Sequence, residues 1–293
     1  MAILMLIIMN VAVMASIYLT IFLIETFFHI KLDQGTVGGL LILSFVVGFS
    51  GAFISLFMSK WMAKMSAGVR IIETPSNEAE EWLVKTIAEL ANKAGIGMPE
   101  VGVFDGPPNA FATGWNRNNA LVAVSTSLFD MMDTKEIEGV LAHEISHIKH
   151  GDMITMTLLQ GVLNTFVFFI SRFIANIVAP KDEEGNPNEF AYFAISFVLE
   201  LLLSVFASII AMAFSRYREY KADAGAVRLD GPEGIYYALA TLGQIPKEQV
   251  ALPADMKAFG IVGFISDLFS SHPPIEKRLE NIKKVAREMG YNV

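Results

Sequence analysis

Leu141-Ala142-His143-Glu144-Ile145-Ser146-His147-Ile148-Lys149-His150-Gly151-Asp152-Met153-Ile154-Thr155 is the stretch that decides what kind of chain this is. On a helix, residues four apart lie on one face, so His143 and His147 can reach a single ion, with Glu144 beside them. Gly151 then stops the helix, and an almost uncharged apolar run takes over from about Met153 to Ala179. Upstream, Asp133 followed by Glu136 has the spacing of a capping box, so the helix is expected to open there and continue through His147. A helix built to hold a metal therefore leads directly into a segment built for lipid.

Three further runs extend that reading. Ile3 to Ile24 is uncharged, Gly38 to Met58 is apolar with interspersed Gly and Ser, and Phe190 to Phe214 carries a single charge. About 20 apolar residues cross a hydrocarbon core of ~30 Å, so four transmembrane helices are expected. No Lys or Arg precedes the first run, which argues against a cleaved signal peptide. The composition agrees, with 53% hydrophobic and 18% charged residues and a mean hydropathy of +0.48. A net charge of −8 argues against a nucleic-acid partner. The chain has no cysteine, so disulfides are excluded and a metal must be held by His, Asp or Glu. Lys60, Lys64, Arg70, Lys149, Arg216, Arg218 and Lys221 cluster on one side of the spans, which places the soluble parts and both termini in the cytoplasm. Arg172 and Glu200 fall inside spans three and four at depths differing by only about 5 Å. They read either as a structural ion pair fastening a hairpin or as part of a polar path.

Between spans two and three, Trp82, Leu83, Ile87 and Leu90 form the stripe of a helix that starts at Ser76 and stops at Gly95. Val101 to Phe104 and Leu121 to Ser125 read as strands. After span four, one helix continues, another begins near Pro232, and a last one runs from about Pro273 to Met289. The resulting division is a transmembrane hairpin over 1–60, the first part of a catalytic domain over 61–152, a second hairpin over 153–214, and the rest of the catalytic domain over 215–293.

A catalytic zinc needs a third protein ligand and an open position. One known solution would place Gly at 150 and His at 153, but the chain has His150 and Met153. The other takes a glutamate from a second helix. Glu219 follows span four just as the His pair precedes span three, so both emerge at the same membrane face. Asp223, one turn on, could hold a ligand imidazole through its free N–H. The competing reading makes Glu219 a surface residue paired with Arg218 or Lys221. Zinc lowers the pKa of a bound water towards ~7. Glu144 would take the proton and pass it to the leaving amine.

With these residues in place, the sequence resembles the HtpX family of bacterial membrane endopeptidases, gluzincins related to the CAAX prenyl proteases. The resemblance runs through Met58 to Met62, Asn109 to Gly114, Leu121 to Thr126, the His143 motif, Glu219 with Asp223, and Ser271 to Pro274. It implies a mainly α protein: four transmembrane helices with a cytoplasmic gluzincin-type zinc metallopeptidase domain carrying a small β-sheet. It also implies one zinc per chain on His143, His147 and Glu219, with Glu144 as base. The setting it implies is the bacterial inner membrane, and the substrates are misfolded or damaged membrane polypeptides.

The remaining residues carry weaker signals. His272, before two prolines, could stabilise an oxyanion or could be a structural loop residue. Asn109, Ala110, Phe111 and Ala112 could border the cleft, with the edge of the strand holding Val122, Ala123 and Val124 pairing to an extended substrate. His150 lies two turns from His143, too far to share an ion, and His29 reads as interfacial. The Gly243–His272 segment is expected to act as a lid. A narrower processing enzyme and a non-catalytic metal sensor or scaffold are the rival functions, and Glu144 argues against the second. Oligomeric state is not legible.

Overall fold

A computed structural model describes residues 2–28, 36–181, 185, 187–243 and 270–291. His29 and residues 244–269, most of the expected lid, lie outside the described residues. The chain divides into two compact units, Met1–Phe57 with Thr155–Ala211 and Met58–Ile154 with Met212–Val293.

The described residues of the first unit are helical apart from Thr36, Ala179 to Lys181, Gly185, Pro187 and Asn188, with an isolated bridge between Lys181 and Pro187. It contains α1 (Ala2–Phe28), most of α2 (Val37–Ser66), most of α6 (Asp152–Val178) and the first half of α7 (Glu189–Asp230). α2, α6 and α7 are long and apolar enough to cross a membrane. α1 contributes the shorter apolar stretch Val11–Phe27. Phe190, Phe193, Phe197 and Phe206 are exposed along α7, as side chains in contact with lipid would be. Helices pack in such a setting through small residues that let backbones approach. A Cβ on Gly48 of α2 would fall 2.5 Å from the backbone nitrogen of Thr165 on α6. Arg172 and Glu200 are joined as an ion pair, and the Arg172 guanidinium lies 3.5 Å over the Phe168 ring.

The second unit surrounds one core. A four-stranded mixed sheet is formed by β1 (Arg70–Ile71), β2 (Glu100–Phe104), β3 (Ala110–Asn116) and β4 (Asn119–Ser125), in the order β1-β2-β4-β3. β2 and β4 are parallel, and the other pairs are antiparallel. Val101, Val103, Val122 and Val124 pack against Leu83, Ile87 and Leu90 of α3 (Glu78–Ala94) and against Leu141, Ile145 and Ile148 of α5 (Thr134–His150). Alternate residues of a strand point to one face, and these four valines obey that period. The short α4 (Thr126–Met131), α8 (Pro232–Gly243) and α9 (Ile275–Glu288) complete the unit. α3 is capped by Asn77 rather than Ser76: the Asn77 side chain accepts from the Glu80 N–H, while Ser76 donates to the Glu80 carboxylate.

Candidate metal centre

α5 is fixed at both ends before it presents any ligand. Asp133 accepts from the Glu136 N–H, Glu136 accepts from the Asp133 N–H, and Gly151 ends the helix in the left-handed region at φ 68°. Between these caps, Leu141, Ile145 and Ile148 are fully buried, so the helix cannot rotate without exposing core. The opposite placement of His143 and His147 follows from that packing.

The structure brings His143, His147 and Glu219 together. The two Nε2 atoms are 3.1 Å apart. His143 Nε2 lies 3.5 Å from Glu219 Oε2, and His147 Nε2 lies 3.3 Å from Glu219 Oε1. A tetrahedral ion with bonds of ~2.0–2.1 Å separates its ligands by roughly 3.3–3.4 Å, so the donor set fits a metal without rearrangement. Glu219 is 4% exposed and turned towards the imidazoles. Arg218 is engaged elsewhere, donating to the Asp152 carbonyl oxygen at 3.0 Å.

Each imidazole is held from behind by a carboxylate. His143 Nδ1 lies 3.0 Å from Asp223 Oδ1, and His147 Nδ1 lies 2.5 Å from Asp152 Oδ2. With Nδ1–H donated to a carboxylate, the Nε2 lone pair points at the centre. Burial opposes a charge on either ring. Even so, Asp223 and Glu219 hold His143 above its ordinary pKa, and Asp152 and Glu219 push His147 up to about 10. The surroundings thus demand positive charge at the point where the ligand atoms converge.

Two members of this constellation escaped the sequence reading. Asp152 is the first residue of α6; the only signal was an acidic residue directly after the helix-ending glycine. Arg278 on α9 is 7% exposed and donates from Nε and Nη2 to Asp223 at 2.9 and 2.6 Å. Its Nη1 is 3.4 Å from Glu219 Oε2. Its signal was an arginine beside Leu279 in the stripe formed with Ile275, Ile282 and Ala286, where a buried position is expected.

A cavity of about 150 Å³ opens beside the centre, with His143, Glu144, Glu219, His272 and Arg278 on one side. Met132, Val140, Ile235, Ala238 and Leu239 form its apolar wall. α8 can close on α5 there because two glycines meet: a Cβ on Gly139 would fall 2.1 Å from the Ile235 nitrogen. His272 does not stand free in the cleft. Its Nδ1 lies 2.8 Å from Glu219 Oε2, and its side chain is 63% exposed. Asn109 and Ala110 line the cavity, but Phe111 and Ala112 do not.

The expectation that the strand of Val122, Ala123 and Val124 offers an edge to substrate is corrected. β4 is hydrogen-bonded on both sides, to β2 and to β3, and those three residues are fully buried. The edge strand on that side is β3. His150 is exposed and stays outside the ligand group.

Comparison with known proteins supplies the family. The sequence pattern of peptidase family M48 matches residues 77–286. The chain is 52% identical over 259 residues to Protease HtpX of Shewanella baltica, covering 86% of this chain and 90% of that one. It is 50% identical to Protease HtpX of Shewanella halifaxensis, covering 94% and 96%. Among solved structures, the crystal structure of S. mikatae Ste24p has the same fold, with a TM-score of 0.58 at 23% identity. That likeness covers 92% of this chain, which spans 62% of the length of Ste24p. A ligand group suited to a metal, helices suited to a membrane and a family match over most of the sequence lead to one conclusion: the chain belongs to peptidase family M48 and is a membrane metalloprotease.

Proposed function

We propose that the chain is a zinc-dependent endopeptidase that hydrolyses misfolded or damaged membrane proteins at the cytoplasmic face of the bacterial inner membrane. The observation that carries this reading is the spacing of three donors, 3.1 to 3.5 Å apart, with a carboxylate behind each imidazole. Segments 1–60 and 153–214 form the membrane hairpins, four spans in all. Segments 61–152 and 215–293 form the catalytic part. The basic residues gathered at Lys60, Lys64, Arg216, Arg218 and Lys221 support the cytoplasmic orientation.

His143, His147 and Glu219 hold the ion, and one zinc per chain satisfies them. Imidazole and carboxylate without thiolate is a donor set that zinc accepts readily. When bound, zinc supplies Lewis acidity, which polarises the scissile carbonyl and lets a water lose its proton near neutral pH. Glu144 lines the cavity beside the ligands and takes that proton on its carboxylate, then returns it to the departing amine. Asp223 and Asp152 keep the imidazoles in the ligating tautomer. His272 stabilises the oxyanion from the mouth of the cleft through its outer ring nitrogen. Ala110, at the start of the β3 edge, meets the substrate backbone as an added strand would, with the Asn109 side chain beside it.

The test compares wild-type protein with Glu144→Gln, both purified in detergent without chelator. Bound zinc is measured by elemental analysis, and cleavage of an unfolded casein-like substrate is followed on a gel. Equal zinc in both, with turnover reduced ~10²–10⁴-fold in the variant, is the expected outcome. Equal zinc with no cleavage by either protein would favour a narrow processing enzyme or a non-catalytic metal protein. A protein without zinc in either form would overturn the assignment.

A further inference from the structure

The β3–β4 hairpin ends in a feature that the metal centre does not use. At its tip the ladder slips: Gly114 pairs with Ala120 and Asn116 pairs with Asn119, which leaves Trp115 as the extra residue of a β-bulge. A bulge takes its extra residue out of register and re-aims the side chain. The turn depends on Gly114, with φ +142°, where a Cβ would fall 2.3 Å from the Asn119 carbonyl oxygen. The result is a large aromatic side chain 42% exposed at the end of a hairpin. Met98, 49% exposed, is brought to the same place because the Gly97 N–H donates to Asn118 Oδ1 at 3.0 Å. Arg117, also exposed, stands between Trp115 and Asn118 in the turn.

This tip is tied to the end of an apolar helix. Lys60 Nζ donates to Asn119 Oδ1 and to Glu100 Oε1, both at 2.7 Å, and Lys64 Nζ lies 2.6 Å from Glu100 Oε2. Lys60 follows Met58, the last residue of the apolar run in α2, by two positions, which is ~3 Å of helix rise. Lysines that end a membrane helix reach up to the headgroup layer, and tryptophan collects at the same level. Trp61 and Met65 on that turn of α2 are each 39% exposed. Asn119 is therefore held at the depth of a membrane-surface lysine, and the tip residues are its immediate neighbours.

We propose that the hairpin tip is a lipid-binding site, with Trp115 and Met98 lying at the boundary between headgroups and acyl chains and Arg117 among the phosphates. Lipid fits this surface better than a protein partner does. The patch combines aromatic, flexible apolar and basic side chains, and it is continuous with the end of a span. The proposal rests on the chain being a membrane protein and not on the zinc reading, so the two fail separately.

The absence of cysteine from the chain makes the test direct. Met98→Cys and Arg117→Cys each introduce a single thiol for a nitroxide label. The labelled proteins are placed one copy per nanodisc of phosphatidylcholine and phosphatidylglycerol. Collisions with oxygen exceeding those with a water-soluble nickel chelate several-fold are expected at Met98, and at Arg117 a ratio between that and the ratio for the free label in buffer. Chelate collisions as frequent as for the free label in buffer would overturn the proposal. Scarce collisions with both reagents would also overturn it, because they would mean protein covers the patch. A second measurement needs no label. In Trp61→Phe/Trp82→Phe protein, Trp115 is the last of the three tryptophans, and brominated lipid should quench most of its emission. Unchanged emission would count against the proposal.

Discussion

Side chains behind the ligands set the strength of the metal site. Asp152→Asn leaves the His147 ring in place but removes the charge that holds its tautomer, so affinity for zinc should fall ~10–100-fold. Competition against a chromogenic chelator measures that loss, and unchanged affinity would show that Asp152 is dispensable. Arg278 carries more structural weight. It is buried against Asp223 and Glu219, and Arg278→Met would strand two carboxylates beside each other. We expect a loss of ~3–5 kcal/mol in detergent unfolding, as when one partner of a buried pair is removed. At this scale the sequence was most informative where chemistry needs a fixed spacing, as between His143 and His147. It was least informative for Asp152 and Arg278, whose partners lie on other helices, because a contact made only in the folded chain leaves no periodicity to read.

Helix α5 was legible because its caps, stripe and stop all pointed the same way, and both ends of the structure's helix coincide with those signals. β3 was less legible, because its alternating Phe111, Thr113 and Trp115 are interleaved with Ala110, Ala112 and Gly114, residue types depleted in strands. Its position is set by pairing with β4. The start of α3 offers a test at this scale. A hydrogen bond from Arg70, seconded by Ser76, lowers the Glu80 carboxyl from 4.5 to about 2. Stability from a depressed carboxyl is full above its unfolded value and disappears as pH falls through its folded one. Arg70→Gln should therefore lower the unfolding midpoint at pH 7. The gap from wild type should shrink steadily between pH 4.5 and pH 2. A gap that stays constant across that range would detach Glu80 from the effect.

Across the whole molecule, hydropathy announced the membrane helices, whereas the assembly of the second unit from two distant stretches of chain followed only from their shared site. The pair inside the first unit can be examined by a cycle of substitutions. Arg172→Leu leaves Glu200 without its partner, at a cost of ~2.5–3.5 kcal/mol on insertion scales. Arg172→Leu/Glu200→Leu should recover most of that stability in detergent unfolding. A double variant as weak as the single one would instead assign the pair a role beyond fastening α6 to α7. β3 carries a consequence for substrates. It runs from Ala110 at the cavity to Trp115 at the hairpin tip, five steps of ~3.4 Å, or at most about 17 Å. With its far end at the proposed lipid site, the strand would act as a ruler. On that proposal, a membrane-anchored polypeptide would need a leash of only about five extended residues to bring a peptide bond from the lipid surface to His143, His147 and Glu219, and chains anchored more tightly would be spared.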